Sequence, residues 1–217
     1  ENERQRIYDN HLLLTNSLES KQGLKDTEIA RLILWAESSS GFGNDPKKNT
    51  ETLKEITTEA KRLDASFLIG GDRPSSPGEF ENYGIFIDER GEISGEYLKQ
   101  HPVPFGEYIP FRKYLDWIPP LSLVPRDMVR GTQQQVFTTN KDEIKISPVI
   151  SFEGSFDRYI RRSVVQGAEV VVILTNQASY GESGMSDQFI LMSRANAISN
   201  NRDIAHAAIT GKSALNF

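Results

Sequence analysis

Apolar side chains recur along this chain at two periods. Between residues 3 and 20, Ile7, Leu12, Leu13, Leu14 and Leu18 keep close to helical spacing. Runs of strand length follow: 30-ARLILWAES-38, 66-SFLIGGD-72 and 82-NYGIFIDERGEISGEYLKQ-100, the last reading as two strands around a Glu-Arg-Gly turn. Residues 46–64 predict a helix, with Asp45 as N-cap and Pro46 at the first helical position. Beyond residue 143 the pattern alternates: strand 144–150, helix 155–166, strand 169–175, helix 186–201 and strand 204–209.

Alternating strands and helices predict helices layered on a sheet, and the short turn near residue 90 makes part of that sheet antiparallel. The expected fold is therefore an α/β sandwich of mixed β-sheets covered by helices. No repeat, linker or low-complexity tract divides the chain, so residues 1–217 read as one domain. Residues 101–133 follow no period. They are rich in proline and aromatics, and so long an irregular connection in a compact domain often builds a binding site or lid.

Composition narrows the chemistry. A net charge of −5 offers no basic footprint for nucleic acid. With no cysteine there is no disulfide, thiolate metal site or thiol nucleophile, and the three histidines (His11, His101, His206) form no ligand-like cluster. The sequence calls for no metal and no cofactor. The longest apolar run, 170-VVVILT-175, is far short of a bilayer span, and ENERQRIYDN lacks the apolar core of a signal peptide. That opening reads as the inside of a helix, and the chain ends just after a strand. Both suggest a piece of a longer polypeptide.

Three polar residues each end an apolar or strand-like run: Glu37 after LILWA, Lys99 after GEYL and Ser151 after SPVI. In open α/β sheets, sites collect at strand ends. Each also has an ordinary reading, Glu37 as a solvated loop residue, Lys99 as a surface cation, and Ser151 (or Ser155) as the cap of the next helix.

The blocks WAES, YLKQHPVPFGEYIPF and PVISFEGSF, in this order and spacing, resemble the three catalytic blocks of the nitrilase (carbon–nitrogen hydrolase) superfamily. HPVPFGEYIPFR followed by LSLVPRD is similar to the extracytoplasmic nitrilase-like domain of the apolipoprotein N-acyltransferase family, in its actinobacterial branch, as is TNQASYGESGMSDQFILMSRANAISNNRDIAHAAITGKSA. The likeness runs over essentially residues 3–217.

That resemblance implies a general base at Glu37, a cation for the developing oxyanion at Lys99, and a nucleophile at Ser151, where the family has cysteine. It implies further site residues at Glu107 and Glu153. His101 either lines the site or packs a loop, and Tyr180 either faces the substrate channel or packs the core. The backbone N–H of Phe152, at the start of the following helix, is a candidate second oxyanion donor. Glu107 near Glu37 would raise the pKa of the base, and Lys99 would oppose it.

The implied reaction moves an acyl chain from a membrane phospholipid to the N-terminal diacylglyceryl-cysteine amine of an apolipoprotein, on the outer face of the cell membrane. Phe105, Tyr108, Ile109, Phe111, Trp117, Ile118, Leu121 and Leu123 would meet acyl chains or the membrane surface, or else pack against the core. A serine makes the intermediate an oxygen ester, from a far weaker nucleophile than a thiolate, so impaired or absent activity is expected. An engineered Cys→Ser change and a natural serine both account for it. The alternatives are a soluble amidase of the superfamily and a non-catalytic lipid or lipoprotein binder.

Overall fold

A computed structural model describes residues 2–19, 29–115, 117–181 and 183–217. The first sheet holds β1 (Leu32–Gly41), β2 (Ser66–Pro74), β3 (Glu79–Ile87) and β4 (Ile93–Leu98) in that spatial order, with β1 and β2 parallel and the rest antiparallel. A two-residue β5 (Asp127–Met128) adds beside the start of β3. The second sheet has the order β10–β9–β8–β7–β6, from β6 (Phe137–Thr138), β7 (Lys145–Ile150), β8 (Val170–Thr175), β9 (Asp203–Ala208) and β10 (Ala214–Asn216). Its three middle strands are parallel.

Strand alternation sets the layers. Leu68, Phe86 and Tyr97 point from the first sheet onto Ile146, Ile150, Val172 and Leu174 of the second, and Phe86 stacks on Phe137 at 5.2 Å. Their neighbours Phe67, Ile69, Ile85 and Ile87 point outward, under α1 (Asn2–Asn16) and α2 (Thr50–Leu63). On the far side, α4 (Asp157–Val165) and α5 (Met185–Asn200) cover Val149, Val171, Ile173 and Ile204. The result is a four-layer helix–sheet–sheet–helix sandwich, as the alternating pattern predicts.

Helix α2 buries Ile56, Ala60 and Leu63, spaced four and three residues apart. Each large aliphatic side chain buried this way contributes about 2 kcal/mol. The helix starts later than the sequence suggests, and Asn49, not Asp45, is its cap. The Asn49 carboxamide oxygen accepts the N–H groups of Glu51 and Thr52, whereas the Asp45 carboxylate is taken by Lys47 N–H and by Arg73. In α1 the buried face is Tyr8, Leu12 and Thr15, and Leu13 and Leu14 face outward. Trp35 closes this layer, edge-on to Tyr8 at 5.6 Å and donating its indole N–H to Thr15.

Between β7 and α4, residues 151–155 form a 3₁₀ turn, so α4 begins two residues after the expected start. Neither Ser151 nor Ser155 caps it; the cap position is Phe156, and the Ser155 hydroxyl is buried without a partner. Among the described residues, the regular elements of segment 101–133 are the four-residue α3 (Arg112–Leu115), a 3₁₀ turn at Pro119–Leu123 and β5. Among the described residues, no helix is long and apolar enough to cross a membrane.

Candidate active site

Glu37 lies within β1, not at its end. The pairing of β1 with β2 slips between Trp35 and Ser40, and Ser38 takes a left-handed φ of 64°. This bulge re-aims the strand, as bulges near functional centres commonly do. Glu37 is thereby buried, with its carboxylate turned toward the second sheet. Oε1 accepts Asn82 Nδ2 at 2.7 Å and Lys99 Nζ at 3.3 Å, and Oε2 accepts the backbone N–H of Asn176 at 2.8 Å. Asn176 follows β8, whose Leu174 is level with Ile150 of the parallel β7. Glu37 therefore reaches the strand ends beside Ser151.

Lys99 follows β4, its N–H bonded to the carbonyl of Asn82. Its side chain is fully buried (0 % exposed) and its ammonium also meets Glu107 Oε1 at 2.5 Å. Burial alone would push the ammonium pKa down, but the Glu37 and Glu107 carboxylates outweigh that and hold it above its ordinary value. The other oxygen of Glu107 accepts Val103 N–H, which closes the PFGEY loop over the lysine. One cation thus sits between two carboxylates, and removing it would strand both.

Ser151 directly follows β7 with a left-handed φ of 54°, a conformation that costs a non-glycine residue about 1–2 kcal/mol. Among the described residues its hydroxyl has no hydrogen-bond partner. In the 3₁₀ turn after it, the N–H of Phe152 precedes the first intrahelical bond and has no acceptor within the turn. This corrects the expected position at the start of an α-helix: Phe152 offers an unused donor in a five-residue turn, without an α-helix dipole behind it.

Glu153 is near enough to Lys99 to help hold its charge, but its hydrogen bonds go elsewhere. It is fully buried and accepts four donors: Tyr97 OH at 2.7 Å and the backbone N–H groups of Gln100, His101 and Ile150 at 2.5, 2.9 and 2.8 Å. Burial pushes its carboxyl above the usual range, against the pull of those donors. In effect Glu153 ties the turn that carries Ser151 to the loop that carries Lys99. His101 lies on the same seam. Its ring stacks on Phe152 at 6.0 Å, meets Phe156 edge-on at 5.1 Å, and reaches neither Glu37 nor Glu107 by a hydrogen bond. Tyr180 follows β8 and packs on Phe189, which also meets Phe152. Burial raises the Tyr180 phenol, and the Glu37 and Glu107 carboxylates raise it further while Lys99 opposes them, so it faces the charged cluster.

The fold brings together Glu37, Lys99, Glu107 and Tyr180, with Ser151 and Phe152 on the adjoining strand end. Asn82 and the Asn176 N–H complete the surroundings of Glu37. No motif in the sequence marks Asn82; its only signal is a polar residue opening an apolar strand. No group of three or more metal-ligating side chains is found among the described residues.

This sandwich is the nitrilase-superfamily fold. A mutant amidase from Nesterenkonia sp. AN1, with the acetamide moiety of fluoroacetamide on its active-site cysteine, superposes with a TM-score of 0.64 at 17% identity, covering 99% of this chain and 76% of that one. A cysteine-to-serine mutant of the amidase gives 0.60 at 18%, covering 94% and 69%. The carbon–nitrogen hydrolase family model matches residues 7–214, and the chain belongs to that family. Curated relatives include apolipoprotein N-acyltransferases from Mycolicibacterium smegmatis (29% identical over 98% of this chain), Geobacter metallireducens (30% over 83%) and Haemophilus ducreyi (33% over 92%). The chain spans only 36%, 34% and 41% of their respective lengths.

Proposed function

We propose that this domain carries the acyl-transfer centre of an apolipoprotein N-acylating enzyme at the outer face of the cell membrane. The observation that carries the reading is the Glu37–Lys99–Glu107 cluster. It is joined through Asn176 to the strand ends at Ser151, in a chain about 30% identical to N-acyltransferases over most of its length.

The geometry suggests the following roles. A carboxylate oxygen has about two acceptor positions. Oε1 of Glu37 uses two, for Asn82 and Lys99, whereas Oε2 takes only the Asn176 N–H among the described residues, which leaves it able to accept a proton. Ser151 Oγ attacks the ester carbonyl of a phospholipid acyl chain as its proton passes to Glu37. The Lys99 ammonium and the Phe152 N–H meet the oxyanion that forms. Collapse breaks the bond to the glycerol oxygen, which takes the proton from Glu37 and leaves as lysophospholipid. The lipoprotein's N-terminal amine then attacks the Ser151 ester. Its proton returns through Glu37 to Ser151 Oγ as that bond breaks, giving the amide.

A serine slows both halves. It lacks the thiolate fraction that a cysteine has at neutral pH, and its ester yields to amines less readily than a thioester. Exposed apolar side chains on the 101–133 segment favour acyl transfer over hydrolysis of a small soluble amide: Trp117 is 79% and Leu123 85% exposed, with Phe105, Phe111 and Tyr114 also outward. Ile109, by contrast, packs inside.

The test is intact mass of the protein and its Ser151→Cys variant after incubation with phospholipid in mixed micelles. An added acyl mass on the Cys variant, discharged by a diacylglyceryl-cysteine peptide, is expected. No added mass, with ammonia released from short amides instead, would overturn acyl transfer in favour of an amidase.

A further inference from the structure

A second charged site lies beyond the Glu37 bulge, at the end of β1. Phe42, the residue after this strand, has a left-handed φ of 49°, and its N–H is tied to the carbonyl of Asp72 at 2.9 Å. Two guanidinium groups stack on its ring: Arg4 from α1, 4.0 Å from the centroid, and Arg126 from the segment before β5, at 4.2 Å. Arg126 also stands over Phe80 at 5.6 Å. Arg4, Phe42 and Arg126, with Gln5 and Asn44, line a cavity of about 480 Å³.

The charges in this cavity do not balance. Arg4 is paired with the buried carboxylate of Asp72 at 2.5 Å. Both guanidiniums pull the Asp72 carboxyl down against the burial that raises it, so both are close to that carboxylate. Arg126, half-buried, makes no hydrogen bond with any described residue. Two cations therefore face one anion, and a five-donor fork is held in place by aromatic rings with its donors unused. That fork suits the paired oxygens of a phosphate.

We propose that the Arg4–Phe42–Arg126 cavity binds a phosphate group, supplied by a phospholipid headgroup. The volume exceeds what one inorganic phosphate fills, and Arg126 continues the segment that exposes Trp117 and Leu123. The whole chain carries a net charge of −5, which opposes general adsorption to anionic lipid, so any attraction must be local. The phosphate site stands independently of the acyl-transfer reading; the lipid source rests on it.

Two probes are titrated into the 217-residue chain while the arginine side-chain N–H signals are followed by NMR: inorganic phosphate, and a short-chain phosphatidylglycerol below its micelle concentration. Saturable shifts of Arg126 and Arg4 are expected with the lipid, and affinity should fall at least tenfold in Arg126→Gln. Arg161→Gln, an exposed arginine on α4, should bind as the parent does. Shifts with inorganic phosphate alone would support the anion site and overturn the lipid source. No saturable shift with either probe, or equal binding by Arg126→Gln, would overturn the proposal. Acyl-mass transfer is read separately on Ser151→Cys, so lipid binding without acylation of that variant would count against the proposed function and leave this site standing.

Discussion

Glu37, on the first sheet, accepts the backbone N–H of Asn176, which follows a central strand of the second, at 2.8 Å. This contact spans 139 positions of sequence and joins the two halves of the sandwich at the proposed centre. It places the proposed base at the strand ends that carry Ser151. Several consequences can be measured.

Lys99→Met should be severely destabilising, because it leaves the Glu37 and Glu107 carboxylates facing each other without their shared cation. Breaking a buried ion pair from one side costs about 3–5 kcal/mol. Urea unfolding should show this loss, and Glu107→Gln placed in the Lys99→Met background should recover part of it. An unchanged midpoint for Lys99→Met would contradict the pairing.

Replacing Ser151 separates backbone from side chain. With φ at 54°, Ser151→Gly should be more stable than Ser151→Ala by about 1 kcal/mol, since only glycine occupies this region freely. Both would lack the proposed nucleophile. Thermal melting of the pair decides it, and equal melting temperatures would mean that the turn relaxes.

Glu153→Ala should loosen the join between the Ser151 turn and the Lys99 loop. It leaves the Tyr97 hydroxyl and three backbone N–H groups without their acceptor, at about 1–3 kcal/mol for each group that stays buried and unmet. Hydrogen exchange at Gln100 and His101 should accelerate before global unfolding does. Protection equal to that of the parent would show that the loop is held by other contacts.

His206 should make the fold acid-sensitive. It is buried between Ser193, 2.8 Å from Nδ1, and the Gln177 carboxamide, 3.2 Å from Nε2, and burial pushes its pKa down to about 4. In the unfolded chain a histidine takes its proton near pH 6.5, so the unfolded state binds more protons between those values. Stability is therefore full above pH 6.5 and falls as the pH drops toward 4, by up to about 3 kcal/mol for this residue. His11 and His101, also shifted down by burial, act in the same direction. Urea midpoints at pH 7 and 4.5 should differ less in His206→Gln than in the parent.

Much of this architecture was legible before any coordinates. Unbroken apolar runs such as SFLI and VVVIL marked β2 and β8, because a strand buried on both faces needs apolar side chains on both. The cap-and-proline pair Asp45-Pro46 signalled α2, and the structure shows its buried face at Ile56, Ala60 and Leu63. Its start was missed because Asp45-Pro46 imitates a cap that Asn49 supplies four residues later. The short β5, β6 and β10 went unread, since two or three residues carry no period. The apolar side chains of 101–133 divided between core and surface, Ile109 inward and Trp117 outward, without a pattern to separate them.

The sequence by itself determined the layers and the ordered blocks that mark the family, because periodicity and local motifs are properties of neighbours along the chain. It also placed Glu37, Lys99 and Ser151 at the ends of apolar runs. Only the tertiary structure decided that Lys99 lies between Glu37 and Glu107, and that Glu153 braces the two loops beside that cluster. It alone showed the bulge that turns Glu37 toward Asn176, and the stacking of Arg4 and Arg126 on Phe42. Each of these depends on groups distant in sequence meeting where water is excluded, and local sequence does not encode that distance.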